Sequence, residues 1–148
     1  MKVVLYQPDI AGNVGTVARL CHCMGLELNI IEPCGFLFDD RKLKRAGMDY
    51  LDLNVIKRYK SFQEFRDSNK GCRVVLLTTK ASERLDKFKF EASDILMIGR
   101  ESAGVPDEIH NAVDKRVIIP MKNNSRCINA AMSCAMVVAV AMNQCNLY

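Results

Sequence analysis

The chain has 148 residues, 49% hydrophobic and 26% charged, with a formal net charge of +4. That length predicts one domain over residues 1–148, large enough to build a core without disulfide or metal staples. The charge is compatible with an RNA-binding face but far from that of a polycationic tail.

In chain order, Lys2–Tyr6 reads as a short buried strand rich in valine. Asn13 is a predicted helix N-cap, with Val14, Val17, Ala18, Cys21 and Met24 as the apolar stripe and Gly25 as the stop. Leu28–Glu32 is the next strand, closed by Pro33. Asp39–Ala46 is a short basic helical segment ended by Gly47, Val55–Ile56 a minor strand, and Ser61–Ser68 a capped helix. Arg73–Thr79, Ile95–Ile98 and Val117–Ile119 are apolar strands that each run into a polar loop, and Ile128 to Gln144 is a closing helix. Strands apolar on both faces and alternating with helices predict an α/β fold. Its sheet is mostly parallel, with helices on both faces.

The closing helix is apolar nearly all round, so it is expected to be central core or half core and half subunit interface. Its longest apolar run, Ala130 to Met142, falls short of the about 20 residues of a membrane span, and no signal peptide is expected before Pro8-Asp9. The seven cysteines form no C-x-x-C pair, and His22 and His110 lie far apart. That predicts no metal site and reduced thiols in a cytoplasmic protein.

Three stretches could carry chemistry. Gly99-Arg-Glu-Ser-Ala-Gly104 follows a buried strand, and two glycines around a glutamate suit a loop that wraps a small molecule with main-chain groups. It is neither a dinucleotide fingerprint, which would follow the first strand, nor a phosphate-binding Gly-Lys-Ser/Thr loop. Arg19 lies on the first helix opposite its apolar stripe, either as a solvated cation or aimed at a phosphate or developing oxyanion. Ser125-Arg-Cys-Ile-Asn129 sets a hydroxyl, a guanidinium, a thiol and an amide at a helix start, where capping is the simpler role. A Cys127–His mechanism lacks a nearby histidine. In open α/β sheets, ligand crevices form where such loops leave the carboxyl ends of strands.

Together and in this order, these pieces resemble the SPOUT superfamily of RNA methyltransferases. Within it, the chain resembles the small tRNA (cytidine/uridine-2'-O-)-methyltransferases that act on the wobble nucleotide of certain leucine tRNAs. The likeness covers nearly the whole chain and includes Val4-Leu-Tyr, Ile30-Ile-Glu-Pro, Gly35-Phe, Asp40 to Tyr50 and Leu77-Thr-Thr-Lys80. It implies a C-terminal trefoil knot, which no periodicity in the sequence predicts. It also implies a homodimer, and S-adenosylmethionine held without metal by Leu77, Thr78, Gly99, Glu101, Gly104, Ile119, Met121, Cys127 and Asn129. The catalytic set it implies is Arg19, Asn13, Glu101, Ser125 and Asn129. Contacts to tRNA fall to Arg41, Lys42, Lys44, Arg45, Arg100 and Arg126. The family proposal makes the residue at Arg19 the base. Because arginine stays charged, binding the target phosphate and stabilising the developing alkoxide is the easier role. Two departures stand in the third loop: Cys127 replaces the usual serine, and Asn129-Ala-Ala-Met-Ser133 replaces Asn-Leu-Ser-Asn-Ala.

Two rival functions are a base methyltransferase of the same superfamily, acting on tRNA or rRNA, and an inactive RNA-binding module that kept the fold. Mass spectrometry of the modified nucleoside separates the first from ribose methylation. Cofactor binding without turnover would mark the second.

Overall fold

The structure, a computed structural model, describes residues 1–37, 56–122 and 127–148. In chain order these form β1 (Lys2–Tyr6), α1 (Ala11–Cys23), β2 (Glu27–Ile31), β3 (Lys57–Tyr59), α2 (Phe62–Ser68), β4 (Val74–Leu77), β5 (Ile95–Ile98), α3 (Asp107–Ala112), β6 (Lys115–Val117) and α4 (Ala130–Gln144).

The six strands make one sheet in the order β3-β2-β1-β5-β4-β6, and every adjacent pair is parallel. β1 and β5 lie at its centre, with Lys2 opposite both Glu27 and Ile95. Side chains alternate between the faces. Val3 and Leu5 join α1 and α4 in one core through Val14, Val17, Cys134 and Val138. Val4 and Tyr6 face Phe65 of α2 and Ile109 of α3 in the other. Coverage on both sides explains the unbroken apolar runs of β1, β4 and β5, and the expected α/β architecture is the one observed.

Several boundaries differ from the sequence expectations. Asn13 is not the N-cap of α1: the helix starts at Ala11 after Ile10, which makes no side-chain cap bond. The amide of Asn13 is instead engaged by distant partners described below. A minor strand lies at Lys57–Tyr59, just after the expected Val55–Ile56, of which Val55 lies outside the described residues; Lys57 and Arg58 are exposed at the sheet edge and paired to Glu27 of β2 and Glu32 just past its end. The last strand is Lys115–Val117, two residues early, because Ile118 bridges Arg84 instead. Helix α2 begins as expected, Ser61 accepting a bond from the Glu64 amide at 3.2 Å. The basic segment Asp39–Ala46 lies outside the described residues.

At the amino ends of the strands, Arg73 forks onto Asp94, its Nε and Nη2 donating at 2.7 and 2.8 Å. Asp94 is fully buried and also accepts from the Glu91 amide, so the charge is taken out of water with its partners in place. All seven cysteines are free. No described helix is long and apolar enough to cross a membrane, and no cluster of metal-ligating side chains occurs among the described residues.

Helix α4 is not buried on every side. Ala131, Cys134, Val137, Val138 and Ala141 face the core, whereas Met132 and Met136 are 63% and 41% exposed. Ile10, ahead of α1, is half exposed as well.

Candidate active site

Because all strands run the same way, the loops that leave their carboxyl ends gather along one edge of the sheet. A cavity opens there between three chain segments. The first follows β4 and contributes Leu77, Thr78 and Thr79. The second follows β5, with Ile98, Gly99, Gly104 and Val105. The third follows β6 and enters α4, with Ile118, Ile119, Met121, Cys127 and Ile128, and Ser133 of α4 also lines the cavity. No lining side chain among the described residues carries a charge. Such walls suit a flat heterocycle sandwiched by aliphatic groups and recognised by main-chain N–H and C=O groups.

The second loop owes its shape to its glycines. Arg100 N donates to Gly104 O at 3.0 Å and Gly104 N to Arg100 O at 2.8 Å, closing the loop on itself. A Cβ on Gly99 would lie 2.8 Å from the Gly104 carbonyl carbon, too close for any side chain. Gly104 has open space beside it but a φ of +68°, which favours glycine.

Of the residues implied to hold a cofactor, Leu77, Thr78, Gly99, Gly104, Ile119, Met121 and Cys127 line this one cavity. Glu101 and Asn129 do not line it; they belong to a polar chain at its rim. Glu101 Oε1 accepts from Asn13 Nδ2 at 2.8 Å, and Asn13 Oδ1 accepts from Asn129 Nδ2 at 3.1 Å. Asn129 Oδ1 accepts from the amides of Ala131 and Met132, capping α4. The second and third loops and the start of α1 are thus linked. Arg19 is exposed on α1, six residues on from Asn13 and so turned onto a different face of the helix. Ser125, Arg126, Arg41, Lys42, Lys44 and Arg45 lie outside the described residues.

Arg100, expected among the cations for tRNA, has its guanidinium on Asp9: Nε donates to Oδ1 at 3.1 Å, and Nη2 donates to the same oxygen. Arg100 and the Ser102 hydroxyl hold the Asp9 carboxyl well below the usual carboxylate range. Sequence reasoning missed Asp9, Ser102 and Ser133. A carboxylate between Pro8 and Ile10 carries no local signal, since its partners lie ninety residues away.

The chain belongs to the SpoU rRNA Methylase family, whose profile matches residues 1–139. It is 50% identical over 144 residues to the tRNA (cytidine(34)-2'-O)-methyltransferase of Beijerinckia indica subsp. indica, which covers 96% of this chain and 90% of that protein. The Escherichia coli K12 protein of the same name is 36% identical over 146 residues, covering 97% of this chain and 93% of that one. A solved structure reported as insight into the 2-OH methylation of C/U34 on tRNA superposes with a TM-score of 0.89 at 34% identity, covering 97% of this chain and 94% of that chain. The SpoU methyltransferase AviRb from Streptomyces viridochromogenes, solved in complex with AdoMet, shares the fold, with a TM-score of 0.84 at 22% identity over 97% of this chain and 57% of that one.

Proposed function

We propose that this chain transfers a methyl group from S-adenosylmethionine to the ribose 2'-hydroxyl of the wobble nucleotide, cytidine or uridine 34, of tRNA. One observation carries the reading: relatives up to 50% identical over nearly the full length of both chains are named for that reaction at cytidine 34. Leucine tRNAs in the cytoplasm are the expected substrates, on the sequence resemblance.

The residues present fit the cofactor. The cavity's aliphatic walls accept an adenine, and the Gly99–Gly104 loop, closed on itself with no room for a Cβ at Gly99, presents main chain to the cavity. Leu77, Thr78, Gly99, Gly104, Ile119, Met121 and Cys127 would hold it, with no metal needed. Bound there, it supplies an electrophilic methyl group on a sulfonium.

What remains for the protein is to position the ribose and to ease loss of the hydroxyl proton. Arg19, a permanent cation, binds the target phosphate and stabilises the developing alkoxide. The Glu101–Asn13–Asn129 chain fixes the start of α1, and so Arg19, relative to the cofactor loops. Ser125 and Asn129 orient substrate. Arg41, Lys42, Lys44, Arg45 and Arg126 supply phosphate contacts, which position the anticodon stem without reading its sequence.

The reading includes a C-terminal trefoil knot and a homodimer. Met132 and Met136 on α4 and Ile10 before α1 are exposed apolar residues that a second copy would cover. Ile10 and Met132 lie three residues from Asn13 and Asn129, the two ends of the amide–amide link, and the proposed pairing brings Arg19 towards the partner's cavity. A two-fold axis buries both patches at once.

The test is methylation of total tRNA with labelled cofactor, followed by mapping of the labelled nucleoside. A 2'-O-methylated nucleotide at position 34 is the expected product. A methylated ring nitrogen, or binding without turnover, would replace this reading with one of its rivals.

A further inference from the structure

Asp9 is bonded to three consecutive residues of the Gly99–Gly104 loop. Its carboxylate accepts from the Arg100 guanidinium, from the Ser102 amide at 3.1 Å and from the Ser102 hydroxyl at 2.6 Å. Its own amide donates to Glu101 Oε2 at 2.7 Å. Apart from the paired bonds between Arg100 and Gly104, the described bonds that hold this loop in place run to Asp9 and to Asn13.

Asp9 is itself fixed from behind. Gly35 N donates to Pro8 O at 2.9 Å, and a Cβ on Gly35 would lie 2.8 Å from Asp9 Oδ1. No side chain at position 35 could fit without displacing the carboxylate. The segment from Pro8 to Ile10 is therefore clamped between the Gly35 turn and the loop after β5, and it leads straight into α1.

We infer that Asp9 is a positioning residue. It locks the cavity's second wall to the start of α1 and so sets the separation between the cofactor loop and the helix that carries Asn13 and Arg19. The inference rests on the proposed methyl transfer for its catalytic consequence, but the lock itself is a property of the protein without ligand.

Two measurements on Asp9→Ala, Arg100→Ala and the double variant test it. The first is amide hydrogen exchange of the peptide spanning 99–104 in the unliganded protein, which needs no activity. Exchange is expected to rise in that loop in Asp9→Ala while the strands keep their protection; unchanged loop protection overturns the lock. The second is affinity for S-adenosylhomocysteine together with kcat and KM on tRNA. Weakening of product-analogue binding and a kcat loss of about tenfold to a hundredfold are expected in Asp9→Ala, with KM for tRNA little changed. The double variant is expected to be no worse than Asp9→Ala, because the pair acts as a unit. Additive losses, or a loosened loop with wild-type kcat and affinity, overturn the positioning role. A wild type that binds no S-adenosylhomocysteine would defeat the methyltransferase reading instead, leaving the lock to be decided by exchange alone.

Discussion

Asn129 and Asn13, 116 residues apart in sequence, meet through one amide–amide hydrogen bond of 3.1 Å, with Asn129 donating. The other end of each side chain is also used: Asn129 caps α4 with its oxygen, and Asn13 donates to Glu101. The arrangement allows capping and bridging to be separated. Asn129→Asp keeps an acceptor for the Ala131 and Met132 amides but removes the donor, and it sets a carboxylate against the Asn13 oxygen. Stability is expected to hold, whereas Asn129→Ala loses about 1 kcal/mol with its cap. Activity is expected to fall about tenfold or more in both. Thermal melts beside tRNA methylation rates check this, and an active Asn129→Asp enzyme would confine Asn129 to capping.

Arg19→Ala is expected to bind S-adenosylhomocysteine normally while losing turnover by about a hundredfold or more, as removal of an oxyanion partner does. Arg19→Lys keeps charge but not the planar fork, so partial recovery is expected. Calorimetry and single-turnover rates check both, and near-normal turnover in Arg19→Ala would return the residue to a solvated helix face.

The two loop glycines are expected to fail for different reasons. Gly99→Ala has no room, since its Cβ would meet the Gly104 backbone at 2.8 Å. Gly104→Val has room but must hold a β-branched residue at a φ of +68°, a strain of about 1–3 kcal/mol. Calorimetry is expected to show cofactor binding abolished in Gly99→Ala and weakened in Gly104→Val. Unchanged affinity in both would remove this loop from the site.

Arg73→Ala leaves Asp94 buried without its guanidinium. A loss of about 3 kcal/mol is expected, at the low end for a broken buried pair because Arg73 itself is partly exposed. Urea denaturation measures it. Because the pair sits at the amino ends of β4 and β5, away from the cavity, cofactor affinity at low temperature is expected to be unchanged.

Ala139 is exposed on α4, so a charge there costs the single chain little. If α4 pairs with a second copy, Ala139→Glu yields a folded, inactive monomer. Sedimentation and circular dichroism report on association and folding, and a wild type that sediments as an active monomer would sink the dimer.

The parts of the fold that the sequence displayed are those where burial is two-sided. Ile95–Ile98 is apolar at every position because helices cover both faces, and its bounds could be read from composition. β3 could not be read in that way. Lys57-Arg58-Tyr59 is an edge strand, and its charges pair with β2 across the surface instead of alternating in and out. Asn13 was misread for a related reason: an asparagine near a helix start has the look of a cap, but the partner that claims it is Glu101. The three cavity loops were legible through their glycines and the strands ahead of them. Asp9 was not, because its value lies wholly in long-range bonds.

The strand order has a consequence for how the chain is made. β1 is made before β5, yet the two are neighbours at the centre of the sheet, with Lys2 paired to Ile95. Until β5 emerges, the nascent chain holds one finished contact along β1, to β2, and one bare parallel edge of valines and leucines. The face that α4 seals, through Cys134 and Val138 on Val14 and Val17, stays open until α4 itself has emerged. Such late, distant pairings make folding slow and the half-made chain prone to associate. An arrest at β4 is therefore expected to leave a chaperone-dependent intermediate, and emergence of α4 to commit the fold.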